Sequence, residues 1–214
     1  MGYLVLFFVF VLAIKLFEKW AWPIIAGHIG ESFVSGRLDS LDSRYYRILN
    51  DVMLPSKGST ETTQIDHIVV SNFGIFCIET KAYEGWIFGD INRDYWTQVI
   101  YKYKKKFYNP LKQNYAHVKA VENLIQIKYP HARILSFVAF PNAKKIKISG
   151  TDSVGYMRDI LKKIKNYNNS ILSDTERDNI YQMLSQANII DKEARRQHNQ
   201  SVMKIKNSND VRRH

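Results

Sequence analysis

Hydrophobic and polar positions fall into strand-like and helix-like periods along most of the chain, most clearly in its middle. Gln64–Val70 and Ile75–Lys81 are runs rich in Val, Ile and Phe, separated by Ser71-Asn72-Phe73-Gly74, which is turn material. This pattern predicts a β-hairpin. Upstream, Ile25, Ile29, Phe33 and Leu38 recur at helical spacing within Ile24–Leu41. Tyr45–Leu54 follows as a strand, ended by the turn-rich Pro55-Ser56-Lys57-Gly58-Ser59. Downstream, Ala82–Asp94 suits a turn and a short strand. Asn109-Pro110 opens a helix that ends before Pro130, with Leu111, Tyr115, Val118, Val121 and Ile125 as its apolar face. Ile134–Phe140 is a continuous apolar run expected near the centre of a sheet. Lys144–Ser149 suits a basic edge, and Val154–Tyr167 a mostly helical stretch after an extended entry. Ser173-Asp174-Thr175-Glu176 is a capping box before a helix carrying Ile180, Met183 and Leu184. The fold class expected is α/β, a mixed central sheet flanked by helices.

The two ends differ from this middle. Gly2–Ile14 carries no charge and Leu16-Phe17 extends the apolar run, slightly short of the roughly 20 residues of a full membrane span. Lys15 can snorkel, and Trp20 and Trp22 suit an interfacial belt. A cleavable signal would want a basic start and a small-x-small cleavage site, neither of which is present. A buried amphipathic helix is a third option, but the run is apolar on every face. The expectation is a single-pass membrane anchor over 1–22, with Lys15, Lys19, Arg37 and the basic remainder placing the C-terminal bulk in the cytoplasm. Residues 24–187 then form the folded domain, and 188–214, with Arg195-Arg196 and Arg212-Arg213, a frayed basic tail able to touch nucleic acid or lipid headgroups.

Both hairpin runs carry charge where a buried strand should not: Asp66 in the first, Glu79 and Lys81 in the second. An even-numbered loop sets Asp66 across from Glu79 and Gln64 across from Lys81, on one face of the pair. An odd loop, with Gly74 as a bulge, sends Asp66 and Glu79 to opposite faces. Converging carboxylates repel, and a divalent cation relieves the repulsion. Oxygen ligands of this kind suit Mg²⁺, which keeps several waters and uses one or two protein carboxylates. A lysine beside it can stabilise charge on a phosphate or help deprotonate an attacking water. The alternative is that these are strand-end charges pointing to solvent.

Asp66, then Glu79-Thr80-Lys81 about a dozen residues later, resembles the signature of the PD-(D/E)xK nuclease superfamily. Gly30-Glu31, Gln64-Ile65-Asp66-His67, Gly74-Ile75-Phe76, Gly85-Trp86-Ile87, Trp96 and Asn109-Pro110-Leu111-Lys112-Gln113 extend the likeness to the nuclease-related domain, NERD, over about residues 27–140. The resemblance implies a restriction-endonuclease-like core and Mg²⁺-dependent (or Mn²⁺-dependent) hydrolysis of phosphodiesters, in DNA rather than RNA. Asp66, Glu79 and the Thr80 carbonyl would hold the metal, with Lys81 as electrostatic stabiliser. Glu31 and Gln113 would assist, and Gln64 would position Lys81 or the scissile phosphate. Gln113 and His117, four apart on one helix side, resemble a Gln-x-x-x-Tyr element with His in the tyrosine position. For His117, capping or packing is the alternative.

Charge supports an anionic partner without naming it. The 214 residues carry a formal +11, with 45% hydrophobic and 13% aromatic residues, so the chain is globular and basic. Lys102, Lys104, Lys105, Lys106 and Tyr108 lie in the densest basic and aromatic run. That run suits nucleic-acid contact, or equally an edge strand guarded by lysines. The single cysteine, Cys77, excludes a disulfide within one chain. No P-loop, Cys/His zinc spacing or Gly-x-Ser-x-Gly nucleophile is present. The rival to the enzyme is a catalytically inactive nucleic-acid-binding module on the same membrane anchor, and a third possibility is a membrane-anchored scaffold for protein partners.

Overall fold

The structure, a computed structural model, describes residues 2–17, 21–57 and 60–211. Lys19, Trp20, Gly58, Ser59, Arg212 and Arg213, which entered the expectations above, lie outside the described residues. Two helices open the chain, α1 (Gly2–Leu16) and α2 (Trp22–Leu38). Six strands follow: β1 (Tyr46–Pro55), β2 (Thr62–Ser71), β3 (Gly74–Thr80), β4 (Gly85–Asp90), β5 (Tyr95–Ile100) and β6 (Tyr103–Tyr108). Then come α3 (Pro110–Ile125), β7 (Ile134–Ala139), β8 (Ala143–Ser149), β9 (Val154–Gly155), α4 (Met157–Asn166), α5 (Asp174–Ala187) and α6 (Lys192–Val211).

A five-stranded mixed sheet in the order β1-β2-β3-β7-β9 forms the centre. β3 is buried along its whole length, paired antiparallel to β2 and parallel to β7. One sheet face buries Val52, Ile65, Val70 and Cys77 against Val121 and Ile125 of α3 and Ile180 and Leu184 of α5. The other buries Val69, Phe76 and Ile78 against Val34 and Leu38 of α2 and Ile160 and Ile164 of α4. A second, four-stranded sheet in the order β6-β5-β4-β8 covers a smaller core of Ile87, Trp96 and Phe107 with Phe140.

The hairpin turn has two residues, Asn72 and Phe73, since Ser71 pairs with Gly74. Gly74 has φ +146°, and a Cβ there would stand 3.2 Å from the Arg133 carbonyl, so glycine suits both the backbone and the space. Arg177 at the start of α5 holds the turn, donating to Asn72 Oδ1 at 2.9 Å from a buried position.

Further along, β1 and β2 change the face they present. Tyr46 and Ile48 serve the α2 side, while Val52 and Leu54 serve the α3 side. On β2, Val69 and Ile65 divide in the same way. The alternation slips in both strands together, between the pairs Asn50↔His67 and Val52↔Ile65, so register survives. The slip falls at Asp51, whose φ of 52° lies in the left-handed region.

Three expectations are corrected. Among the described residues no helix is long and apolar enough to cross a membrane. α1 has 15 residues, about 22 Å at 1.5 Å per residue against a hydrocarbon core of roughly 30 Å. The single-pass anchor is therefore overturned, and the cytoplasmic placement that depended on it goes too. The stretch after Asn188 is helical rather than frayed: α6 is fastened to β1 by Arg195, which reaches the Asp51 carboxylate at 2.7 Å and the Asp51 carbonyl at 2.9 Å. Of the expected apolar face of α3, Leu111, Val118, Val121 and Ile125 pack into the cores while Tyr115 is exposed, and the buried positions also include the polar Asn114 and His117. Two polar residues occupy that face because strands β3 and β7 beneath offer them partners.

Candidate active site

The hairpin ladder stops at His67↔Ile78. One step further, the Thr80 N–H donates to Asp66 Oδ2 at 2.7 Å, so a carboxylate stands where a backbone acceptor would continue the ladder. The even register anticipated from the loop places Asp66 beside Glu79 and Thr80. Lys81 Nζ and Glu79 Oε1 form an ion pair on the same side. Glu79 is buried, and its other oxygen, Oε2, accepts from His117 Nε2 at 3.0 Å. His117 Nδ1 meets Thr63 Oγ1 at 2.7 Å, so the ring is held at both nitrogens. Asn109 caps α3, accepting from the Leu111 N–H at 2.9 Å. Asn114 then latches that helix to the β3–β7 seam through the carbonyls of Cys77 and Phe137, at 2.9 and 3.0 Å.

Glu31 arrives from α2. Gly30 permits this, because a Cβ at that position would come within 2.6 Å of Ala82 Cβ, just beyond Lys81. Burial raises the Glu31 pKa; His28, 3.7 Å away, opposes it, and the charges of Asp51 and Glu79 add to it. Burial is also the main cause of the Asp66 shift, well above the usual carboxylate value, with the Glu79 charge adding to it. For Glu79, burial pushes upward but Lys81 and His117 more than offset it, and the group stays ionised. For Lys81, burial pushes downward and the carboxylates of Glu79 and Asp66 push further upward, so the ammonium is retained. The result is three carboxylates within one another's electrostatic reach and a single, fixed ammonium among them.

Opposite Glu79, on the α2 side of the sheet, a polar chain supports the same strand end. His67 Nε2 lies 3.1 Å from Thr80 Oγ1 and His67 Nδ1 lies 2.7 Å from Asn50 Oδ1, while Asn50 Nδ2 donates to Ser35 Oγ at 2.9 Å. Burial lowers the His67 pKa to about 4, so the ring is neutral near pH 7 and accepts from the threonine hydroxyl. The Thr80 side chain is thereby committed to the back of the sheet.

Other expected residues fall elsewhere. Gln64 does not reach Lys81: it pairs with Met53 on β1, and its amide donates to Asp51 Oδ1 at 2.7 Å. The cause is the ladder break at Asp66, which parts β2 from β3 before Gln64 can face Lys81. Gln113 sits one turn before His117 in α3, half-buried, with no side-chain hydrogen bond among the described residues. Lys104, Lys105, Lys106 and Tyr108 lie on the edge strand β6, and Lys102 in the turn before it. The sequence reading passed over Asp51, although Asn50-Asp51 interrupting an apolar strand was a visible signal.

As to a metal, no group of three or more His, Cys, Asp or Glu side chains is arranged to enclose an ion among the described residues. What is present is a pair of opposed carboxylates in which Asp66 Oδ1 has no hydrogen bond among the described residues. This set fits a hard cation that takes one or two carboxylates and keeps most of its water.

Known proteins bear out the family likeness. The nuclease-related domain family matches residues 26–141. An uncharacterized protein of Bacillus anthracis, pXO1-01, is 37% identical over 177 residues, which cover 82% of this chain and 83% of that protein. No solved structure matches. With the match spanning the Gly30-Glu31 helix, the whole hairpin and the start of α3, the chain belongs to the nuclease-related domain (NERD) family, within the PD-(D/E)xK-like nuclease superfamily.

Proposed function

We propose that the chain is a divalent-metal-dependent nuclease acting on DNA, with its site at the broken end of the β2–β3 hairpin. The observation that carries this reading is the meeting of Asp66, Glu79 and Lys81 where the ladder stops, with Glu31 brought alongside by α2. A polar cluster of this kind on buried strands is costly unless it does chemistry or binds an ion.

Mg²⁺, held by Asp66, Glu79 and the Thr80 carbonyl, would supply Lewis acidity and a more acidic bound water. Lys81 keeps its proton and supports negative charge developing on the phosphate, which suits a stabiliser rather than a base. His117 holds the Glu79 carboxylate in one orientation, and the neutral His67 fixes Thr80 from behind. Glu31, and Gln113 one turn before His117 on α3, would each be available to order a water or a phosphate oxygen.

A second reading, a nucleic-acid binder without catalysis, is favoured by one observation: both Glu79 oxygens already have protein partners. The test uses the full chain on plasmid and single-stranded DNA with Mg²⁺, Mn²⁺ or EDTA, alongside Glu79→Gln and Lys81→Met. Metal-dependent cutting lost in both variants, with folding retained by circular dichroism, supports the enzyme. Binding without cutting under any metal supports the second reading. Cutting that survives both substitutions removes the site from contention.

A further inference from the structure

The four-stranded sheet has one face over its core and the other open. On the inner face lie Ile87, Trp96 and Phe107, all buried. On the outer face, register aligns two rows across the strands: Lys104, Val99, Trp86 and Lys145, then Lys106, Thr97, Phe88 and Lys147. Trp86 is 42% exposed although it sits on β4, an inner strand. Its ring neighbours Phe88 at 6.1 Å between centroids. Lys145 Nζ stands 5.0 Å from the Trp86 ring centre and Lys147 Nζ 5.9 Å from that of Phe88. Tyr95 and Tyr108, opposite each other on β5 and β6 with rings 5.9 Å apart, extend the same face.

The lysines thus form two lines, on the two edge strands β6 and β8, with aromatic rings between them. Three strand spacings separate the lines by roughly 14 Å. None of Lys104, Lys106, Lys145 and Lys147 has a carboxylate partner among the described residues. Asp90, beside this face, is occupied by Ser149 Oγ at 2.5 Å and the Asn92 N–H at 2.9 Å. Lysines on edge strands guard against aggregation. That role does not account for an exposed Trp86 and a half-buried Phe88 on the open face of the inner strand, which would work against it.

We propose that this face is a platform for single-stranded nucleic acid, with bases stacked on Trp86 and Phe88 and phosphates drawn to the two lysine lines. Stacking on a ring needs no particular base, and ammonium groups need only phosphate, so recognition here is independent of sequence. Gly85 opens β4 four residues after Lys81, so the platform begins where the chain leaves the candidate site. The proposal deepens the nuclease reading by adding a place where the strand is held apart from where it is cut.

Binding of fluorescein-labelled oligo(dT) to the full chain, read by anisotropy in EDTA, tests the platform without any cutting. Trp86→Ser with Phe88→Ser should weaken binding about tenfold or more. Lys145→Glu with Lys147→Glu should weaken it too and flatten the salt dependence, by roughly 1.4 in the logarithmic slope for two lost phosphate contacts. Unchanged circular dichroism and unfolding midpoints show that the variants fold. Losses in both platform variants support the proposal whether or not the chain cuts. Unaltered binding in both platform variants overturns it and leaves the nuclease reading standing. No binding by the unaltered chain at low salt, or a preference for duplex over oligo(dT), also overturns it.

Discussion

His117 Nε2 donates to Glu79 Oε2 at 3.0 Å, with both side chains buried, so a helix and the central strand are joined by a charged hydrogen bond. The other Glu79 oxygen is held by Lys81. Glu79 is thus fixed from two directions, by α3 and by its own strand.

Removing the histidine leaves a buried carboxylate oxygen without its donor. His117→Ala should lower stability by about 1–3 kcal/mol, measured by urea unfolding. His117→Gln, which retains a donor, should recover part of that loss. If the chain cuts DNA, the alanine variant should need more metal for half-maximal cutting.

Gly30→Ala places a methyl 2.6 Å from Ala82 Cβ. Overpacking of this kind costs about 1–3 kcal/mol. Adding Ala82→Gly should restore much of the loss, and the double-mutant cycle should show coupling between the two positions. Additive effects would place the strain elsewhere.

Arg195 ties α6 to Asp51, and its side chain is a quarter exposed. Arg195→Ala should therefore cost little global stability, under roughly 1 kcal/mol. It should nevertheless make α6 an early site of tryptic cleavage at its remaining basic residues. An unchanged digestion pattern would show that other contacts hold the helix.

Cys77 is buried in β3, and burial pushes its thiol up to about 12. The folded chain should resist iodoacetamide at pH 8, and labelling should follow urea concentration as the central sheet opens. Rapid labelling in buffer would mean that β3 opens far more readily than its full burial indicates.

The hairpin register was legible because strands have a side-chain period of two and the turn is short, so one loop length fixes every opposition. Gln64 escaped that logic: extending the register to Lys81 assumed an unbroken ladder, and Asp66 interrupts it. The apolar part of the α3 inner face was legible from its spacing, but Asn114 and His117 were not, because they are polar and their burial depends on Glu79 and on the strand carbonyls, which are distant in sequence. The capping box of Ser173 and Glu176 was legible because it is local. The α6 helix was not, since its attachment depends on Asp51 in a backbone conformation that composition does not reveal. The lysine run of β6 was visible as a run, but its alignment with Lys145 and Lys147 required the sheet order.

The carboxylate of Asp66 performs the office of a main-chain carbonyl at the point where the hairpin parts. An investigator who wants an inert version of this protein should therefore avoid Asp66→Ala, because it would unfasten the strand end as well as disarm the site, and a null result could not be attributed to either. Asp66→Asn retains an oxygen for the Thr80 N–H and separates the two losses. Architecture and reactivity share one side chain here, so this position is poorly placed to drift: any replacement must satisfy the sheet before it can alter the chemistry.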